Sequence, residues 1–179
     1  MRALLLIATL SCPGLAMAAC PAVDPGLAIK ATPLFESLKL SKTQDTGAAV
    51  ASKLWALFGT APDAQAQDLL DKGKQSIQWG AFDEAEATLN DLVDYCPDYA
   101  EGWNQRAFAR FLKNDFDAAL SDLDRALELE PRHFGAMAGR GLTLLRQGRQ
   151  VLGLQAIREA VKVHPWINER HLLPPEERT

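Results

Sequence analysis

Only three cysteines and three histidines occur among the 179 residues. So few cysteines exclude a fold stapled by a disulfide framework. None of His133, His164 and His171 stands at a metal-ligand spacing from cysteine or carboxylate within one helix, so no metal site is expected. Positive charge is short as well. Lys and Arg number 19 against 23 Asp and Glu, and a formal charge of −4 leaves no broad basic surface to grip a nucleic-acid backbone. Long apolar runs are missing too: Ala3 to Leu10 falls far short of the ~20 residues a membrane-spanning helix needs. No nucleophile elbow, paired-carboxylate context or Cys/His dyad can be argued, so neither catalysis nor a cofactor is expected. Gly135, Gly139 and Gly141 fall inside a helical stretch and match no phosphate-binding loop, which leaves helix packing as their role.

What is present begins with an address. Residues 1–19 carry Arg2, then the apolar run, then Ala16-Met17-Ala18-Ala19 before Cys20, which is the layout of a secretory signal peptide. The expectation is export to the periplasm. Loss of residues 1–18 removes only Arg2 among charged side chains and leaves 18 basic against 23 acidic, a mildly acidic protein. Cys12 leaves with that segment. Three fates stay open for Cys20: lipidation, since Met17-Ala18-Ala19-Cys20 partly resembles a bacterial lipoprotein box and would give an outer-membrane lipoprotein; plain cleavage beside it; or a bridge to Cys96. Taken alone, Cys96 reads as a buried, inert thiol.

The remainder is organised by a period. Pro97, Pro131 and Pro165 are spaced by 34 residues, and so are Gly73, Ala107 and Gly141, Gly80, Asn114 and Gly148, Ala85, Ala119 and Gly153, and Leu89, Leu123 and Ile157. Five columns in phase are not chance. Gly80, Asn114 and Gly148 stand where a first helix must end, in the left-handed conformation that Gly and Asn accept. The small columns let two antiparallel helices approach closely. The prolines end the second helix of each unit.

This pattern resembles the tetratricopeptide repeat family, whose unit is a helix-turn-helix of about 34 residues. The middle unit is nearest the family pattern, with Trp103, Ala107, Phe116, Ala119, Leu123, Ala126 and Pro131 at the signature positions. The resemblance implies an all-α, right-handed superhelical solenoid of three repeats, residues 66–99, 100–133 and 134–167. Residues 32–65, with Phe35, Ala51, Trp55 and Phe58 in phase and Pro33 near a first helix position, read as a degenerate helical pair capping the first repeat. Residues 20–31 read as an extended, mobile leader. Beyond them, residues 168–179 form a tail in which Leu172 and Leu173, with Trp166 and Ile167, cover the apolar stripe Val151, Leu154, Ile157 and Val161; an edge left open would pair with a second copy as a homodimer.

The resemblance also places function. First helices of the family line a concave groove that binds peptide segments or partner helices. The candidate groove residues are Lys74, Gln78, Asn104, Gln105, Phe108, Phe111, Leu112, Leu142, Leu145 and Arg146, apolar at the centre with polar flanks. Where co-chaperone members clamp a partner's terminal carboxylate, this chain has Leu70, Lys74, Gln105, Gly135 and Gly139, so that clamp is absent. The expected function is a noncatalytic protein-interaction module of the envelope, with a lipid-anchored assembly component as the alternative. Packing between helices, or occupation by the protein's own leader, would explain the same apolar residues. The acidic run Asp117, Asp122, Asp124, Glu128 and Glu130 reads as a solvated face, with Asp122 and Arg125 as a surface pair.

Overall fold

A computed structural model describes residues 19–178, so the signal peptide read at residues 1–19 lies outside the described residues apart from Ala19. Among these residues there are eight α-helices and no strand: α1 (Pro25–Leu40), α2 (Gln44–Phe58), α3 (Ala64–Gln78), α4 (Phe82–Tyr95), α5 (Ala100–Leu112), α6 (Phe116–Leu129), α7 (Phe134–Arg146) and α8 (Gln150–Val163). Two 3-10 turns follow, Asn168–Leu172 and Pro175–Glu177. No described helix is long and apolar enough to cross a membrane.

The helices start and stop for local reasons. Asp63 accepts the Ala66 N–H at 2.8 Å and opens α3, and Thr43 and Thr46 satisfy each other's backbone donors at the start of α2. His133 caps α7 by accepting the Ala136 N–H on Nδ1 at 3.1 Å. Gly80, Asn114 and Gly148 have φ of 76°, 64° and 76°, so the turn column adopts the left-handed geometry expected of it. Each turn is closed by a backbone bond reaching back five residues, such as Asp115 N–H to Arg110 C=O at 2.9 Å. A β-carbon on Gly73 would meet Leu89 Cγ at 2.6 Å, and one on Gly141 would meet Ile157 Cδ1 at 2.5 Å. The small columns therefore are the helix crossings of α3–α4 and α7–α8.

Neighbouring hairpins α3–α4, α5–α6 and α7–α8 stack in chain order. A buried polar cluster ties the first two hairpins together. Asp122 of α6, almost fully buried, accepts from Arg106 Nε and Nη2 at 2.9 and 2.7 Å and from Arg110 Nη1 at 2.8 Å. Arg110 also donates to Glu86 of α4 at 2.9 Å, and Arg106 to Asn90 Oδ1 at 2.9 Å. This corrects the solvated-face reading of Asp122, and Arg125 is not its partner: Arg125 pairs with Asp98 and Glu128. A helical charge run is blind to which of its members faces the preceding helix.

The N-terminal segment departs most from expectation. Residues 25–31 are not an extended leader, because Asp24 accepts the Gly26 N–H at 2.8 Å and Pro25 supplies a preset φ, so α1 starts there. Pro33 consequently sits inside α1 and not near its start. Cys20 is disulfide-bonded to Cys96 with the Cα atoms 5.2 Å apart. A sulfur in that bond has no valence left for a thioether lipid, and Cys96 is buried but not a free thiol. Cys20 and Val23 pack on the α3–α4 core beside Leu89, Leu92 and Tyr99. They cover the first repeat, the task expected of the helical pair.

The α1–α2 pair instead reaches across to the last repeat. Phe35, Leu38, Ala51 and Leu54 share one core with Phe134 and Ala138 of α7, Ala160 of α8 and Ile167. Trp166 Nε1 donates to the Ser41 carbonyl at 3.0 Å, and a β-carbon on Gly47 would meet the Trp166 ring at 2.5 Å. Val161 packs on this same core, while Leu173 is buried beneath the tail and Arg158 pairs with Glu177. Val151 alone of the α8 stripe stays largely exposed.

Two outcomes follow from this packing. Reducing the Cys20–Cys96 bond, which spans 76 residues, frees the unfolded chain of a long closed loop and lowers stability by about 2–4 kcal/mol. Urea unfolding with and without reductant measures it, and coincident midpoints would show the bond contributes nothing. Asp122→Ala strands two arginines and costs about 3–5 kcal/mol. Asp68→Ala, which breaks only an exposed pair with Lys72, stays within about 0.5 kcal/mol in the same assay.

Candidate functional site

The inner faces of α5 and α7 form the floor of an apolar cleft of about 600 Å³, α2 forms its facing wall, and Trp166 to Glu169 form its rim. Asn104, Gln105, Phe108, Phe111 and Leu142 line it, five of the ten residues the resemblance pointed to. The others lie elsewhere. Lys74 and Gln78 of α3 are outside the cleft, as is Leu112. Leu145 fills the space over Gly153 between α7 and α8. Arg146 lies over the rings of Phe111 and Phe116 at 5.4 and 5.2 Å and donates to Asn114 Oδ1 at 2.7 Å, so it flanks the cleft without lining it.

The wall contributed by α2 had no signal in the groove pattern. Gln44, Ala48 and Ser52 recur every four residues and so share one face of the helix, with Trp55 at the end. Trp55 enters the last repeat over Gly135, where a β-carbon would collide with the indole. The one hint in the sequence was this glycine, at a groove position that larger side chains fill in the carboxylate-clamping members. Phe134 meets Trp55 edge-on at 5.0 Å.

Beneath the floor lies a buried carboxylate. Glu101, only 3% exposed, accepts from Asn104 Nδ2 at 3.0 Å, Gln105 Nε2 at 2.7 Å and His133 Nε2 at 2.8 Å. Because His133 Nδ1 accepts from Ala136, the ring proton is on Nε2 and the imidazole is neutral. Phe58 stacks on that imidazole with centroids 4.2 Å apart, and Tyr99 donates to the Phe58 carbonyl at 2.8 Å. The carboxylate is bonded by three side chains, and Glu101 and His133 are themselves buried, which suits a structural part and not a proton-transfer site.

His164 is the second histidine of the region. It lines the cleft, meets Phe134 edge-on at 5.0 Å, and burial without a charged partner pushes its pKa down to about 4. Among the described residues no lysine or arginine lines the cleft, and Glu169 is the one formally charged residue that does. Among the described residues no group of three or more His, Cys, Asp or Glu is placed to hold a metal.

The tetratricopeptide repeat family model matches residues 100–133, which are α5 and α6 with the loop that closes them. Residues 100–133 are thus a tetratricopeptide repeat, and the chain as a whole is similar to tetratricopeptide repeat proteins. A TPR repeat-containing protein of Rhizobium etli is 29% identical over 132 residues, 74% of this chain and 65% of the relative, so this chain spans just under two thirds of that relative's length. The fold is similar to that of MamA, with a TM-score of 0.54, 21% identity and coverage of 80% of this chain and 77% of the other. It is similar as well to the TPR2B domain of yeast Sti1, solved in complex with pHsp70, with a TM-score of 0.51 and 20% identity over 55% of this chain and 82% of that one. In this chain the inner face of α7 is engaged by α2, and the cleft is what remains between that helix, α5 and α7.

The depressed His164 sets a pH dependence with a definite sign. The folded state resists protonating this ring while the unfolded chain protonates near pH 6.5, so stability is full above that pH and falls as pH drops toward 4. Unfolding midpoints at pH 7.5 and 5 should differ more for the wild type than for His164→Phe. Equal pH dependence in the two would remove His164 from the account.

Proposed function

We propose that this protein is an exported, noncatalytic adaptor that holds a segment of a partner protein in the cleft between α2, α5 and α7. One observation carries the reading. Phe108 and Trp55 line the same open cleft with 46% and 40% of their surfaces exposed. The repeat family is built for protein interaction, and the Sti1 domain of similar fold was solved as a complex with a partner. The apolar lining of the cleft, which has no cation among the described residues although Arg146 flanks it, favours an apolar segment over a charged chain terminus. Export is supported by the signal-peptide layout of residues 1–19 and by the Cys20–Cys96 pairing, which an oxidising compartment sustains. The same pairing weighs against a lipid anchor on Cys20.

Affinity capture from envelope extract tests it, with Phe108→Ala and an exposed control, Val151→Ala, run beside the wild type. A single protein retained by wild type and control and weakened about 30-fold by Phe108→Ala, with helicity intact by circular dichroism, is the expected result. Identical capture by all three, or none by any, would reduce the cleft's aromatics to packing.

A further inference from the structure

The turns inside the hairpins α3–α4, α5–α6 and α7–α8 lie in a row along one edge of the molecule. Lys113 Nζ pairs with Asp83 Oδ1 and Glu86 Oε2 at 2.6 and 2.7 Å, which ties the second turn to the first. Arg146 donates to Asn114 Oδ1 and Gln147 to Asp117 Oδ1, each at 2.7 Å, which ties the third turn to the second. With the cap that Asp115 gives Ala118, the charges in the middle of the row are committed within the chain. The ends differ. Glu84, exposed in the first turn of α4, has no side-chain hydrogen bond or ion pair among the described residues. Arg149, exposed at the start of α8, meets only the Gln147 amide oxygen, at 3.2 Å. One spare acid therefore stands at one end of the row and one spare base at the other.

Each spare charge has exposed apolar neighbours. Trp79, 72% exposed, precedes the glycine of the first turn, and Val151 and Leu152, 77% and 45% exposed, follow Arg149. Of the seven large apolar side chains exposed among the described residues, these three are on this edge, so it is one of the two places where such residues gather, the cleft being the other. The repeat register sharpens the contrast. Val151 and Leu152 stand two periods on from Asp83 and Glu84, so the same places are acidic in the first repeat and apolar in the third. Helices α4 and α6 open on acids, as the positive end of a helix favours, whereas α8 has none in its first turn and is preceded by Arg149. An edge that is acidic and aromatic at one end, and basic and aliphatic at the other, is complementary to itself when turned end for end.

We infer that two copies of this chain pair along their turn edges about a twofold axis that passes through the middle turn. Glu84 of each copy then meets Arg149 of the other, and Trp79 of each packs on Val151 and Leu152 of the other. Neither pairing is possible within one chain, because the middle turn separates the two ends. A foreign partner would have to carry both patterns in reverse order on one surface, and a second copy has that surface already. None of these five residues lines the cleft, so the pairing leaves the cleft open and does not depend on how the cleft is used. Val151→Ala likewise leaves the cleft lining unaltered.

Sedimentation equilibrium of the disulfide-bonded protein over about 1–200 μM tests this. The mass should rise with concentration and level off at two copies. Because each ion pair recurs across the axis, Glu84→Arg or Arg149→Glu alone should weaken the dimer about tenfold, and the two together should restore association to within about threefold of the wild type. Trp79→Ser should weaken it about 30-fold. All three positions are exposed, and circular dichroism should show unchanged helicity. A monomer at every concentration overturns the inference. So does a dimer that none of these changes weakens, which would put the contact on another surface, and so does growth beyond two copies, which a closed twofold contact forbids. If Trp79→Ser weakens the dimer but the double exchange associates no better than either single variant, the end-for-end pairing of Glu84 with Arg149 is overturned. Capture at the cleft is a separate reading: its failure leaves the dimer standing, and loss of the dimer leaves the cleft standing.

Discussion

The carboxylate of Glu101 has been taken out of water, and that is tolerable only because three side chains converge on it. Each of those donors is thereby committed to one orientation, and each orientation has a consequence elsewhere. His133 turns Nε2 to Glu101, so Nδ1 is free to cap α7, and its flat face becomes the platform on which Phe58 stacks. Asn104 turns Nδ2 to the carboxylate from its place on the cleft lining. Gln105 is held on the cleft floor. One buried charge therefore aligns the second repeat, the start of the third, the end of α2 and the polarity of the cleft wall. Removing the carboxylate would not merely delete three hydrogen bonds; it would release the choice of tautomer and amide orientation on which the rest is built.

How α2 comes to lie in the concave face is a matter of space as much as attraction. The third repeat offers glycine at 135 and 139 where inward side chains would otherwise stand, and Trp55 and Leu123 occupy the room those glycines leave. The hairpin contributes Phe35, Leu38 and Leu54 to a shared core, so its docking is a burial of apolar surface of the same kind that holds the repeats together. The covalent arrangement reinforces it. The hairpin is joined to α3 at one end through residues 59–63, and at the other Cys20 fixes the chain near the α4–α5 junction. A segment held at both ends loses far less entropy on docking than a free arm.

What the sequence disclosed and what it withheld divide along the same physical line. Repeated columns report interactions between residues close in the chain: the left-handed turn at Asn114, the crossing of Gly73 with Leu89, the prolines that end each second helix. These are local, recur every 34 residues, and were legible without any structure. The docking of α2 on α7 joins residues some 80 positions apart and occurs once, so no periodicity marks it. The consequence reached the candidate site directly. On the second repeat Asn104, Gln105, Phe108 and Phe111 line the cleft and Leu112 does not, while Trp55, Ala48 and His164 were invisible as cleft residues, and Leu145 lies between helices over the glycine at 153. Asp122 shows the same limit on a smaller scale, since a run of acids on one helix says nothing about the two arginines of the helix before it.

The cleft itself is best understood as the place where packing stops. At two places along α2 the chain has matched a large residue to a small one: Trp166 against Gly47, Trp55 against Gly135. Along the row Gln44, Ala48 and Ser52 this matching is absent, and the side chains opposite are Phe108, Phe111 and Leu142. Leucine at 48 would fill part of the gap and bury more of Phe108, a change of the sort that commonly adds stability when a void is filled. An apolar gap left open beside so much close packing keeps an aromatic surface wet, with the polar residues Asn104 and His164 on its lining. Those three features make sense together as the shape and polarity of something that is not part of this chain.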